Sequence, residues 1–343
     1  MQYYIPMKTA CDNEIKISEA AKRVAPYLHR TPILTSKFLD SALGHKFFFK
    51  AEPLQKVGAF KARGALNCLL ALKEKNQLPK EVTAFSSGNH AQGVAWAARE
   101  LGLKATILMP EYVSSLKQQA TRSYGANLVL TKDRAEAESR VYEFIDKGAF
   151  FIHPYANPRV IEGQGSACYE ALTDITETID AVFAPCGGGG LLSGTYLATQ
   201  ELSPGSKVIG CEPVTANDAA ISLRNGEIFS FKHSPDTICD GVMTLSIADI
   251  TFEYLKKLDD FIEVEEEEKI IYWTQWLIHL LKLNIEPSSA LAMAAAVEYL
   301  RKNSFKEPQK ILIILSGGNI AADKHRAIWQ KDYLVNEPSM IKL

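Results

Sequence analysis

Along most of this chain, short apolar runs alternate with longer amphipathic stretches. Residues 13–29, with Asn13, Ile15, Ile17, Ala20, Ala21, Val24 and Leu28 at roughly helical spacing, predict a helix, which Arg30-Thr31-Pro32 stops before an extended Ile33-Leu34. Phe47-Phe48-Phe49-Lys50 reads as an aromatic strand. A helical pattern at Ala65, Leu66, Leu69, Leu70 and Leu72 follows it. From Val82 to Gly148 the alternation is regular. Thr83-Ala84-Phe85, Ala105 to Met109 and Leu128 to Leu130 read as strands; Ala91 to Leu101, Ser114 to Tyr124 and Arg134 to Lys147 read as the helices that follow each of them. The second half repeats the theme. Phe150-Phe151-Ile152, Ala181 to Ala184, Lys207 to Cys211 and Ile311 to Leu315 are strands, with helices at Val160 to Leu172 and from the glycines at 187–190 to about Gln200. Strands alternating with helices of ten to fifteen residues imply an α/β fold with parallel sheets and helices on their faces.

The longest apolar helical run, Ile270 to Leu283, is interrupted by Gln275, His279 and Lys282, so it reads as a buried helix and not a membrane span. The acidic run Glu263 to Glu268 reads as that helix's solvated first turn, favoured by its dipole. The N-terminus, Met1 to Lys16, lacks an apolar core segment, and no signal peptide is expected.

The composition excludes more than it suggests. A chain of 343 residues with a formal net charge of −2 has room for two domains and no electrostatic reason to bind nucleic acid or an anionic membrane. Cys11, Cys68, Cys168, Cys186, Cys211 and Cys239 are scattered without metal-type spacing, so reduced thiols and a cytoplasmic location are expected.

Candidate chemistry concentrates where strands end, the place at which open α/β sheets bind ligands. Lys61 stands in the small-residue run Gly58-Ala59-Phe60-Lys61-Ala62-Arg63-Gly64-Ala65, at the start of a helix. Burial and the positive end of the helix both disfavour an ammonium there, so the amine becomes a nucleophile. A surface lysine on a helix is the plain alternative for this stretch taken alone. The turn Gly187 to Gly190 leads from a strand into a helix, where bare backbone N–H groups can converge on a phosphate. No Lys-Ser/Thr follows as a Walker A loop requires, and Leu192 stands where a dinucleotide fingerprint needs its third glycine. A tight turn with no ligand remains the alternative. Ser86-Ser87-Gly88-Asn89-His90 could hold a carboxylate on its amides or could simply cap a helix. Ser316-Gly317-Gly318-Asn319 is another cap or a further wall of the same pocket.

Together these four motifs, in this order, resemble the pyridoxal-phosphate enzymes of the tryptophan-synthase-β fold. Within that group the chain is similar to serine/threonine dehydratases and serine racemase. Glu162-Gly163-Gln164-Gly165, Asp240-Gly241-Val242 and Ile285-Glu286-Pro287 extend the likeness over nearly the whole chain. The resemblance implies two open, mostly parallel sheets with helices on both faces. A small domain, residues 61–149, would be inserted in a large one formed by residues 1–60 and 150–343. It also implies a homodimer and a small amino-acid substrate.

The family's roles carry over to the matching positions. Lys61 would bind the cofactor as a Schiff base and act as the base at the substrate Cα. The amides of Gly187, Gly188, Gly189, Gly190 and Leu191 would hold the cofactor phosphate, Asn89 the ring oxygen and Ser316 the ring nitrogen, with Phe60 beside the ring. Ser86, Ser87, Gly88, Asn89 and His90 would bind substrate, and Ser87, facing Lys61 across it, would be a second acid/base group. Glu212, the Ala216 carbonyl and Asp218 match the family's metal loop, an all-oxygen shell suited to Mg²⁺, Mn²⁺ or Ca²⁺. The alternative there is a capped loop in which Asp218 starts a helix.

A neutral Ser316 at the ring nitrogen favours β-elimination over transamination. The implied activity is an ammonia-lyase acting on L-threonine or L-serine; serine racemase and threo-3-hydroxyaspartate dehydratase are the nearest alternatives. A cysteine-synthase-like replacement enzyme fits less well, because its asparagine loop differs. An intact Lys61 argues against a non-catalytic binding protein. Ala59 departs from the serine usual before the Phe-Lys pair, a change shared by some hydroxyaspartate dehydratases. The short stretch after Ser316 leaves no room for the C-terminal regulatory domain of biosynthetic threonine dehydratases, so isoleucine feedback is not expected.

Overall fold

A computed structural model describes residues 15–340. Asn13, Cys11 and most of the N-terminal segment read above lie outside the described residues. The strands are β1 (Ile33–Leu34), β2 (Lys46–Ala51), β3 (Glu81–Phe85), β4 (Lys104–Pro110), β5 (Asn127–Thr131), β6 (Phe150–Phe151), β7 (Ala181–Pro185), β8 (Lys207–Pro213), β9 (Asp260–Val264) and β10 (Lys310–Leu315). They form a six-stranded sheet in the order β1-β2-β10-β7-β8-β9 and a four-stranded sheet in the order β5-β4-β3-β6. Every pairing is parallel except that of β1 with β2.

The period of two along each strand explains why these sheets are covered twice. In β2, Phe47 and Phe49 pack with Phe183, Ile311 and Ile313 under the helices Glu267–Leu281 and Pro287–Lys302. Phe48 faces the other way, with Val182, Ala184, Leu312 and Ile314, toward Cys168 and Ala171 of the Pro158–Asp174 helix and Leu191 and Leu192 of the Gly190–Leu202 helix. In the smaller sheet, Val82, Ala84, Ile107 and Met109 face Leu66, Leu69 and Val94 of the helices Lys61–Glu74 and Asn89–Glu100. Leu108 and Val129 face Ala137 and Val141 of the Arg134–Ile145 helix. The fold class read from the sequence is the one observed.

Two element readings need correction. The acidic run is not one helical turn: Glu263 and Val264 belong to β9, and the helix begins at Glu267. Ile262 and Val264 are buried at alternate positions, so sheet burial decided the local structure over charge. The sequence reading also passed over the helix Pro287–Lys302, which is buried along nearly its whole length and shows no amphipathic stripe.

The Pro158–Asp174 helix lies between the helix opened by Lys61 and the helix opened by the glycine turn. The approaches are main chain to main chain. A Cβ on Gly163 would stand 2.5 Å from the Arg63 carbonyl oxygen, and one on Gly165 would stand 2.5 Å from that of Gly194. Beneath these contacts a set of charges is shut away from solvent. The Arg63 guanidinium reaches Glu52 at 2.6 Å and Glu170 at 2.8 Å, and Lys50 also reaches Glu170 at 2.8 Å. The shared partners leave no charge of this group uncompensated.

Candidate active site

Lys61 is placed by a lacing of β10's exit to the residues before the helix. Phe60 N–H donates to the Ser316 carbonyl at 3.0 Å, Gly318 N–H donates to the Gly58 carbonyl at 3.0 Å, and Ala59 bridges to Gly317. Gly58 takes φ +68° in the turn that makes this possible. Thus the Lys61 and Ser316 stretches, far apart in sequence, become neighbours.

The ends of β3, β7 and β10, the residues after β6 and the start of the Lys61–Glu74 helix enclose a cavity of about 560 Å³. Phe60, Lys61, Ser86, Ser87, Gly88, Asn89, His90, Gly187, Gly188, Gly189, Gly190, Leu191 and Ser316 all line it. The structure therefore brings together every cofactor and substrate residue named from the sequence. Glu212, Ala216 and Asp218 lie apart from it, at the end of β8.

The Lys61 amine donates to the Pro154 carbonyl at 3.1 Å and sits 4.9 Å from the centre of the Phe60 ring. Burial pushes its pKa down from 10.5 to about 8, against the opposing pull of Glu286. The sequence places Glu286 in a motif but gives it no role. It is buried, and burial, with Asp240 nearby, lifts its carboxyl to about 7. The Asn89 amide donates to its two oxygens at 3.3 and 3.2 Å, while the Asn89 oxygen accepts from Asn319 at 2.8 Å. Asn89 is thereby held in one orientation. Ser316 lies 3.5 Å from Glu286 and 3.0 Å from the Ser289 hydroxyl.

His90 is a neutral ring. The Ile152 carbonyl accepts from Nε2 at 2.8 Å, so that nitrogen carries the hydrogen, and Nδ1 is buried without a partner. Burial and the adjacent Lys61 charge push its pKa down to about 3. Ser87 is half-buried, and its hydroxyl makes no hydrogen bond to the other described residues.

The glycine turn suits a phosphate on structural grounds. Gly189 has φ +86° immediately before the Gly190–Leu202 helix, and a Cβ there would meet Thr251 Cβ at 2.8 Å. A Cβ on Gly187 would meet Val242 Cα at 3.2 Å. Side chains are thus kept out of a turn that opens a helix N-terminus, and Gly187 to Leu191 line the same cavity as Lys61. An aldehyde carrying a phosphate fits this pair of anchors.

At the other location Glu212, Ala216 and Asp218 are fully buried, with Ala216 in a short 3₁₀ turn and Asp218 the first residue of the Asp218–Asn225 helix. The Glu212 carboxylate accepts from the amides of Ala219 and Ala220 at 3.2 and 3.0 Å. Neither oxygen of Asp218 has a hydrogen-bond partner in good geometry, although its own amide and that of Ile247 ease its charge. Burial raises both carboxyls, and Asp218 raises Glu212 further. No group of three or more His, Cys, Asp or Glu side chains that could hold a metal gathers among the described residues. Five cysteines there are free and buried, and no helix is long and apolar enough to cross a membrane.

Comparison with known proteins agrees with this geometry. The model of the pyridoxal-phosphate dependent enzyme family matches residues 24–317. The L-threo-3-hydroxyaspartate ammonia-lyase of Saccharomyces cerevisiae is 39% identical over 317 residues, covering 91% of this chain and 94% of that protein. The serine racemase of Dictyostelium discoideum is also 39% identical, covering 92% and 96%. Among solved structures, the T.th. threonine deaminase superimposes with a TM-score of 0.82 at 43% identity, covering 89% of this chain and 97% of that one. The family match runs through the lysine, the serine–asparagine loop and the glycine turn alike, and the chain belongs to the pyridoxal-phosphate-dependent serine/threonine dehydratase and serine racemase family.

Proposed function

We propose that the protein is an ammonia-lyase that eliminates water from a small β-hydroxy amino acid, L-threonine or L-serine, to give a 2-oxo acid and ammonia. The observation that carries this reading is the Lys61 amine, depressed to about 8 in the wall of a cavity that also holds an anion-binding turn. Pyridoxal phosphate, when bound, supplies the electron sink for bond breaking at the substrate Cα. The amides of Gly187 to Gly190 and Leu191 hold its phosphate, and Asn89, Ser316 and Phe60 hold its ring.

The chain's own residues do the rest. The Ser86-Ser87-Gly88-Asn89-His90 loop binds the substrate carboxylate at the start of the Asn89–Glu100 helix. The neutral Lys61 amine takes the Cα proton. The β C–O bond breaks and the hydroxyl leaves as water, taking the proton that Lys61 removed; the released enamine tautomerises to the imine, which adds water and loses ammonia. Ser316, a neutral hydroxyl, holds no positive charge at the ring nitrogen, which favours elimination over transamination. The unspent Ser87 hydroxyl supports a second activity, racemisation, with Ser87 and Lys61 serving opposite faces of Cα.

A divalent cation, Mg²⁺, Mn²⁺ or Ca²⁺, at Glu212, Asp218 and the Ala216 carbonyl is part of the proposal. Its support is the buried, unpartnered Asp218 carboxylate beside a second carboxylate. A homodimer, and a division into residues 61–149 and the remainder, complete it; three strands of the separate four-stranded sheet fall within 61–149, and its fourth, β6, follows at Phe150–Phe151. The test is to offer the holoenzyme L-threonine, L-serine, D-serine and the 3-hydroxyaspartates, following 2-oxo acid and enantiomer composition together. Absence of 2-oxo acid from all of them overturns the reading.

A further inference from the structure

The cations of the cavity are not equally engaged. Four described side chains of Lys or Arg line it: Lys61, Lys117, Arg134 and Lys324. Lys61 is the reactive amine. Lys117 pairs with Asp240 at 2.6 Å, and Arg134 reaches Glu138 at 3.0 Å and the Met243 carbonyl at 3.0 Å. Lys324 is half-buried and donates to one neutral group, the Thr237 carbonyl, at 3.1 Å. It forms no ion pair with any described carboxylate, including its exposed neighbour Asp323. Asp240 is already taken by Lys117, and Glu286 is held by Asn89.

An ammonium with three donors, one of them spent on a carbonyl, is left with two N–H groups and an uncompensated charge. In a partly buried position such a charge favours an anion supplied by the ligand. Lys324 also stands on the right wall. Its helix, Ala322–Ile328, begins three residues after Asn319, which donates to Asn89 in the loop assigned to the α-carboxylate. Serine and threonine offer only hydrogen or a methyl group beside the β-hydroxyl, and neither satisfies an ammonium. A second carboxylate on Cβ does.

We propose that Lys324 is a specificity residue that receives the β-carboxylate of a dianionic β-hydroxy amino acid, a 3-hydroxyaspartate, in the cavity that also holds Lys61. This rests on the ammonia-lyase reading and moves its preferred substrate from L-threonine or L-serine to a β-hydroxy amino acid with a second carboxylate. It concerns binding alone, since the leaving group and the proton at Cα are the same for all these substrates.

The test compares the holoenzyme with Lys324→Met and Lys324→Arg, measuring kcat/KM for L-threo-3-hydroxyaspartate and for L-serine. In Lys324→Met the hydroxyaspartate value falls about 10- to 100-fold, mainly through KM, as expected for losing a hydrogen bond to a charged group. The L-serine value changes less than about threefold, being free of that contact. Lys324→Arg recovers most of the hydroxyaspartate activity, and melting temperatures confirm that both variants are folded. Equal losses for the two substrates, or an unchanged hydroxyaspartate value, overturn the assignment, as does a parent enzyme that consumes L-serine but not hydroxyaspartate. A parent that consumes neither overturns the ammonia-lyase reading instead.

Discussion

The depressed amine of Lys61 makes a quantitative prediction about how the cofactor-stripped protein captures pyridoxal 5′-phosphate. Only a neutral amine attacks an aldehyde. A lysine at its ordinary 10.5 is about 0.03% neutral at pH 7, whereas one at about 8 is about 10% neutral, so the reactive fraction at pH 7 gains about 300-fold. The rate should rise about tenfold per pH unit up to pH 7 and level off above about pH 8. Glu286 sharpens the test, because its negative charge holds the proton on Lys61. Its own carboxyl is lifted to about 7, so that charge is present at pH 8 and largely absent at pH 6. Glu286→Gln should therefore move the plateau to lower pH and quicken capture at pH 7.5, with little effect at pH 6. The assay is stopped-flow absorbance from pH 5.5 to 10, with a free alkylamine run in parallel to remove the aldehyde's own ionisation. Borohydride trapping and peptide mapping identify the lysine. A rate that climbs tenfold per pH unit through pH 10, or trapping on another lysine, refutes the reasoning.

Three further outcomes are expected. Ser87→Ala should suppress racemisation and attack on D-serine by about 10²- to 10⁴-fold while sparing elimination from L-substrates, measured by chiral chromatography beside 2-oxo acid release; equal losses would mean that Ser87 only positions substrate. EDTA treatment should lower the melting temperature and turnover, Mg²⁺ or Mn²⁺ should restore both, and Asp218→Ala should ignore the cation; indifference of the parent would remove the metal. Gly165→Ala should force apart two helices whose main chains touch, costing about 1–3 kcal/mol and several degrees of melting temperature; calorimetry showing no change would mean that the helices separate freely.

Much of this was legible in the chain because the information was local. Phe47, Phe48 and Phe49 announce a strand covered on both faces, and Gly187 to Gly190 announce a turn that tolerates no side chain. Glu286 was opaque for the opposite reason. Its meaning lies in Asn89 and Lys61, neither of them near it in sequence, and a single acidic residue before a proline carries no mark of its burial. The strand containing Glu263 was missed because its charge is visible in the sequence while the sheet that buries Ile262 and Val264 is not. The Pro287–Lys302 helix was missed because burial on nearly all sides erases the stripe by which helices are recognised.

The glycine contacts along the Pro158–Asp174 helix act as a fixed gauge. On one side that helix abuts the carbonyl of Arg63, two residues beyond the lysine; on the other it abuts Gly194, within the helix that the glycine turn opens. The span between the Lys61 helix and the glycine turn is therefore written in main-chain geometry and owes little to any side chain of the cavity wall. Residues of the cavity wall such as Lys324 and Ser87 can be exchanged without resetting that span. The same frame can be refitted for a new substrate by changing the wall alone, whereas enlarging one of the helix glycines would disturb the placement of every ligand at once.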